Sequence, residues 1–219
     1  MIISKLLVPE RIPGILAYLY DKIARTSITD YYTKMADEIT SFLIKGIILD
    51  IGIGPAYLPI EIAKRNEDIK FDGIDLTKKM IKIAEKNVKD SGLTKRINCF
   101  VANGNKLVGF KDNYYDMIIS TGALHRWKNP AKVINECYRV LKPGCEAWIF
   151  DPALIGSEEK VKLLKGFDMV LLKLLSLIPG EVMIVTYTET EIIKIIKNTK
   201  FKRYEIRERK NSVEIKLKK

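Results

Sequence analysis

The stretch Ile48-Leu49-Asp50-Ile51-Gly52-Ile53-Gly54-Pro55-Ala56 joins a short apolar run to a glycine-rich turn. A buried strand that runs into glycines at the start of a helix lets a ligand approach the backbone closely. Glycine has no Cβ to collide, and the exposed N–H groups of the first helical turn donate to the ligand. A dinucleotide turn, G-x-G-x-x-G or Ala, would put a small residue at 57; this chain has Tyr57 there, and its small residue, Ala56, comes one place early. Asp75 ends the next extended run 21 residues after Gly54, where a carboxylate accepts from ribose hydroxyls. These residues predict a ligand of adenosine type rather than a dinucleotide. Ala56 suits such a turn only with a negative φ. Plainer readings stay open, since Asp75 and the pair Asn103-Gly104 are also ordinary turn residues. His125, the single histidine, follows the run 115–120 by five residues and is a candidate general base near neutral pH. Capping a helix or packing on Trp127 would account for it equally. Tyr31 or Tyr32 could close over the ligand, although Tyr32 lies on an apolar helical stripe of the kind that forms core.

Alternating helical and extended segments have to position these groups, and that alternation predicts a parallel sheet covered by helices. Residues 12–24 and a second segment with Ile28, Tyr32, Met35, Ile39 and Phe42 on one face read as helices. Strands are expected at 46–52, 69–75, 97–102, 115–120 and 146–151. The helices between them are expected at 55–65, 77–90 with Thr77 as N-cap, and 130–141 with Pro130 in the first turn. A strongly apolar helical stretch from about Ser157 to Ile178 follows. Thr188 with Glu191 three places on forms a capping box for a last helix, and two extended pieces around Lys210-Asn211-Ser212 read as a hairpin at a sheet edge.

Composition excludes several classes. With 219 residues, 47% hydrophobic and 30% charged, the chain has the makeup of one globular domain. Its longest stretch free of Asp, Glu, Lys and Arg is 51–60, too short to span a membrane. The beginning, MIISKLLVPER, lacks the continuous apolar core of a secretory signal, so a cytoplasmic location is expected. Cys99, Cys137 and Cys145 match neither a disulfide framework nor a metal site; they read as small buried hydrophobes, and no metal is expected. The net charge of +11 is concentrated in residues 192–219, which carry +8 of it, so the basicity belongs to the last helix and hairpin. Lysines on an exposed edge strand block edge-to-edge pairing, and nucleic acid is not an expected partner.

The segment DIGIGPA resembles the D-x-G-x-G-x-G motif of class I S-adenosylmethionine-dependent methyltransferases, with Ala56 in place of the last glycine. FDGIDLTKKMIKIAEKN, VANGNKLVGFKDNYYDMIISTGALHRWKNP and CYRVLKPGCEAWIFD resemble the motifs that follow in that family, in the same order, over residues 46–151. Small-molecule enzymes such as the ubiquinone/menaquinone biosynthesis C-methyltransferases are the most similar group. The resemblance implies an α/β three-layer Rossmann-like sandwich with a mostly parallel seven-stranded sheet and a C-terminal antiparallel hairpin. It implies N-terminal helices over residues 1–45 covering the cofactor site, and a methyltransferase domain over 46–219 with a helical lid insertion at about 152–187. The implied cofactor is S-adenosyl-L-methionine, held by Asp50, Gly52, Ile53, Gly54, Asp75, Leu76, Met80, Asn103, Gly104, Ser120 and Thr121. Asn103 stands where the family often has Asp, and its amide oxygen still accepts from an adenine amino group.

The resemblance also places His125 on the substrate-facing rim as the candidate catalytic base. MIISTGALHRW after Asp116 lacks the (N/D)PPY motif of exocyclic-amine methyltransferases and the cysteine of RNA 5-methylcytosine enzymes. The excess of leucine between Val161 and Ile178 suggests a hydrophobic small-molecule acceptor under a lid. A homodimer interface or plain core packing would explain it too. An RNA methyltransferase using the basic C-terminus and a non-catalytic S-adenosylmethionine-binding protein are the competing functions.

Overall fold

Parallel pairing of the apolar runs organises the chain in its computed structural model, which describes residues 10–27, 29–152, 187–209 and 212–219. The strands are β1 (Gly46–Ile51), β2 (Ile69–Asp75), β3 (Ile97–Val101), β4 (Tyr115–Thr121), β5 (Leu141–Pro152), β6 (Arg203–Arg209) and β7 (Ser212–Lys218). They form one seven-stranded sheet in the order β3-β2-β1-β4-β5-β7-β6. The first five strands run parallel, while β7 is antiparallel to both β5 and β6. The expected Rossmann-like sheet with a C-terminal antiparallel hairpin is therefore the fold.

Because side chains alternate along a strand, each central strand feeds both faces. On β1, Leu49 and Ile51 join one core while Ile48 joins the other. The first core packs against α5 (Pro130–Val140) and α6 (Glu189–Lys197) through Val133, Cys137, Ile192 and Ile196. The second packs against α2 (Thr29–Phe42), α3 (Tyr57–Arg65) and α4 (Lys78–Asp90) through Met35, Ile39, Ile62 and Ile81. Asp50 falls on the Ile48 side, inside that second layer. α1 (Gly14–Ser27) lies on α4, with Ala17 against Met80 and Ile83.

Local chemistry sets the ends of these elements. Asn129 caps α5 by accepting from Lys132 N, and Thr188 and Glu191 form the expected capping box on α6. Thr77 occupies the N-cap of α4, but its hydroxyl donates to Ile12 O at 3.4 Å and caps nothing. β5 begins at 141 rather than 146: Leu141 already pairs with Tyr115, and the register then shifts around Gly144, which has a φ of 81°. Cys137 is buried as expected, whereas Cys99 and Cys145 are only half-buried. The apolar stretch 157–178 and the lid expected at 152–187 lie outside the described residues, apart from Pro152 and Tyr187 at its ends.

Much of the C-terminal charge is engaged within the fold. Arg209 on β6 forms a bidentate pair with Glu38 of α2 at 2.7 and 2.9 Å and bonds Glu214 of β7, whose side chain is 1% exposed. Lys216 Nζ sits 3.5 Å from the centre of the Trp148 ring, and Lys219 Nζ donates to Asn113 Oδ1 and to the carbonyls of Tyr138 and Leu141. A buried carboxylate left without its cation is costly. Arg209→Met should therefore lower stability by about 2 kcal/mol, and adding Glu214→Leu should recover most of the loss. Chemical denaturation of the two variants measures both effects; additive losses would show that the pair is not coupled.

Candidate active site

The glycine turn after β1 is wound tightly. Gly52, Gly54 and Ala56 have φ of 86°, 54° and 66°. Gly52 N and Ile53 N both donate to Ile74 O of β2, and Ala56 N donates to Ile53 O. A Cβ on Gly52 would stand 2.8 Å from Ala123 Cβ, so only glycine fits there. Beside Gly54 the nearest atom to such a Cβ is 3.9 Å away, and beside Gly122, after β4, nothing lies within 4 Å. The backbone is thus open to a ligand on the carboxyl side of the sheet. Ala56 corrects the sequence expectation: its φ is positive, and this buried alanine carries left-handed strain where the family has glycine.

Two carboxylates face this turn. Asp50 is 1% exposed and its Oδ1 has no hydrogen-bond partner. Burial, and then the nearby charge of Asp75, push its carboxyl up to about 8. Asp75 accepts from Thr77 N at 2.7 Å and from the N–H of Gly54. Burial still raises it, against the opposing pull of those bonds and of Arg126. An orphaned buried oxygen beside an open backbone cradle fits the implied S-adenosyl-L-methionine, which would bring positive charge and ribose hydroxyls to these two acids.

The N-terminal segment runs along the same edge. Glu10 accepts from Asn105 Nδ2 at 3.4 Å and lies 3.8 Å from Lys128 Nζ, and the Ile12 carbonyl meets Thr77. Further along, a Gly54 Cβ would stand 4.0 Å from the ring of Tyr20, a half-buried residue whose phenol pKa is raised by desolvation. Next to Tyr20 in the middle of α1, Asp21 accepts from the Tyr57 hydroxyl at 2.7 Å and from Asn87 Nδ2 at 3.2 Å, and Asn87 also donates to Pro55 O. Tyr57, the residue that departs from a dinucleotide turn, thereby ties α1 to α3.

A second cluster stands at the ends of β4 and β5. His125 sits in a short 3-10 helix, Leu124–Arg126, and its Nδ1 lies 3.0 and 3.2 Å from the two carboxylate oxygens of Asp151. Their side chains are 7% and 2% exposed. Asp151 also accepts from His125 N at 3.1 Å and from the Leu124 N–H. Its pKa is raised by burial, with the histidine pulling it back down. Arg126, whose pKa burial lowers, faces Tyr20, Asp151 and Asp75, so it spans both clusters. From α2, Tyr32 bonds the Thr121 side chain, and Tyr31 bonds Ser212 near Asp151.

The remaining candidates sit as follows. The Ile53 side chain is buried in the space left by Gly73, whose Cβ would collide with it, and Met80 is core beneath α1. Leu76 is half-buried next to Asp75. Asn103 Oδ1 accepts from Asn105 N, closing a turn, and Gly104 gives room to Val133 and Ile51. The Ser120 hydroxyl donates to Ile51 O across β1 and β4. Asp151, Tyr20, Arg126 and Gly122 were not among the candidates. Only Asp151 carried a usable signal, an apolar run ending in Asp, as in β1 and β2. Among the described residues no group of His, Cys, Asp or Glu is placed to hold a metal, and no helix is long and apolar enough to cross a membrane.

Comparison with known proteins adds to this geometry. Residues 49–149 match the methyltransferase domain family. An uncharacterised methyltransferase of Bacillus subtilis (strain 168) is 32% identical over 102 residues, covering 47% of this chain and 54% of that protein. A ubiquinone biosynthesis O-methyltransferase of Nitrosomonas europaea is 30% identical over 139 residues, covering 58% and 57%. The chain thus spans a little over half the length of these relatives. A crystal structure from Methanococcus maripaludis, of a candidate S-adenosyl-L-methionine-dependent methyltransferase, superposes with a TM-score of 0.76 at 24% identity, covering 99% of this chain and 97% of that one. That likeness shows a shared fold.

The burial of Asp50 has a consequence for stability. A carboxyl whose folded pKa is raised favours folding below its unfolded value near 4, and that contribution is lost as pH climbs towards about 8. The ligand-free protein should lose stability between pH 5 and 8.5, and Asp50→Asn should flatten that decline by on the order of a few kcal/mol. Thermal unfolding across this range reports the slope; an equal slope in wild type and variant would contradict the burial of an unpaired charge.

Proposed function

Because residues 49–149 form a methyltransferase domain of the class I S-adenosyl-L-methionine-dependent type, with that molecule as cofactor, we propose that the chain methylates a hydrophobic small-molecule acceptor, with His125 taking the acceptor's proton. The observation that carries the reading is the juxtaposition of the open glycine turn with Asp75 and the unpartnered Asp50 Oδ1. When bound, the cofactor supplies a methyl carbon made electrophilic by its sulfonium. Gly52 and Gly54 admit it to the backbone, Asp75 holds the ribose, and Asp50 faces the positive charge. Asn103 meets the adenine amino group with the lone pair left over from its turn. Leu76, Ser120 and Thr121 border the same edge. In this reading α1 and α2 cover the site, and Tyr20 closes over the turn. What remains for the protein is to align the acceptor with the methyl group and exclude water.

Support for a hydrophobic acceptor comes from the leucine-rich stretch Val161 to Ile178 and from a relative whose name places it in ubiquinone biosynthesis. The internal pairing of the C-terminal basic residues, Arg209 and Lys216 among them, weighs against an RNA substrate, which would need those charges at the surface.

Titration calorimetry and turnover test the proposal. The wild type should bind S-adenosyl-L-methionine and not NAD, and Asp75→Ala should weaken binding at least about tenfold through loss of charge-assisted bonds to the ribose. Phenolic and quinol-type acceptors should be methylated and tRNA should not. Unchanged cofactor affinity in Asp75→Ala would overturn the ribose assignment, and methylation of tRNA alone would overturn the acceptor class.

A further inference from the structure

We propose that Asp151 is a positioning residue that fixes His125 in the tautomer with its proton on Nδ1, leaving Nε2 with the lone pair that accepts the acceptor's proton. The inference deepens the proposed function and rests on His125 as its base.

The geometry has one organising fact: Asp151 gathers N–H groups. The backbone N–H groups of Leu124 and His125 both donate to its carboxylate. A group that already accepts from two donors on one side is held as an acceptor, so the ring nitrogen 3.0 Å away completes the set by donating as well. The other tautomer would set two lone pairs against each other where the Asp151 side chain is only 2% exposed, in a surrounding of low dielectric that makes such a clash costly. The neighbouring charged and titratable groups are Arg126 on the same turn, Tyr31 from α2 and Tyr187, each of which feels the charge of Asp151. The carboxylate thus fixes both the orientation of the ring and the position of its proton.

The transfer balances without an added reactant. The acceptor X–H becomes X–CH3, its proton goes to His125 Nε2, and the electron pair of the broken carbon–sulfur bond stays on sulfur. The imidazolium formed is stabilised by the Asp151 carboxylate and returns its proton to solvent after turnover. Acceptors with an acidic X–H, such as phenols and enols, need this service; an acceptor that is nucleophilic without losing a proton does not.

The chain contains one histidine, so nitrogen NMR of 15N-histidine-labelled, cofactor-free protein reads a single imidazole with no assignment problem. With the ring neutral, the wild type should show protonated Nδ1 and bare Nε2. Asp151→Asn presents an amide N–H to the ring and should move the proton to Nε2. In the same variant kcat for a phenolic acceptor should fall at least about tenfold, with KM for the cofactor little changed, and Asp151→Glu should restore part of it. An Nε2–H imidazole in the wild type overturns the proposal even if no variant folds. So does a ring whose tautomer ignores Asp151→Asn. A correct tautomer combined with full turnover in His125→Ala would instead locate the failure in the base reading, and would overturn any catalytic use of this geometry.

Discussion

Parallel pairing of β1 with β2 and β4, and of β4 with β5, is the constraint on which the rest depends. Parallel strands enter the sheet on the same side and leave it on the same side, so whatever follows each strand is delivered to one edge. Asp50, Asp75, Thr121 and Asp151 all lie at or next to the carboxyl end of a strand, although they span about a hundred residues of sequence. No long-range side-chain contact is needed to bring them together. The register does it, pairing Asp50 with Gly73 and with Ile119, and Thr121 with Phe150.

Electrostatics then divides this edge into two parts. On the β1–β2 side, Asp50 and Asp75 are both raised by burial, the charge of Asp75 raises Asp50 further, and Asp50 Oδ1 has no hydrogen-bond partner. On the β4–β5 side, Asp151 is just as buried but is surrounded by N–H donors. The first arrangement holds unspent affinity for a cation, and the second has largely used its capacity in ordering the protein itself. Arg126 joins the two halves, so a change of charge in one is felt in the other.

The sequence disclosed those parts whose signals are local. Apolar runs ending at glycine or aspartate marked the strands, and the Thr188–Glu191 spacing marked a helix start that the structure reproduces. Tyr57 at the dinucleotide position and Asp75 at the end of β2 pointed to the ligand class before any geometry. What stayed hidden depends on neighbours far along the chain. Tyr20 reaches Gly54 only because α1 lies on α4, and His125 meets Asp151 only because a 3-10 turn places it beside the end of the adjacent strand. Ala56 misled for a different reason: intrinsic preference argues for a negative φ, and the tertiary requirement of the turn overrides it.

The strand order β5-β7-β6 has a bearing on how the molecule is made. β6 precedes β7 in the chain yet touches the rest of the sheet only through it, so the two must dock as a hairpin. During vectorial synthesis the strands β1 to β4 and their glycine turn can assemble early, while the outer side of β5 waits for residue 218 to emerge. Asp151 pairs with Val213 across that late seam. The glycine turn can therefore be in place before the backbone beneath Asp151 is pinned. A ligand that binds the cradle can accompany the last stage of folding, and errors in hairpin docking would fall on the histidine side of the site and spare the glycine side.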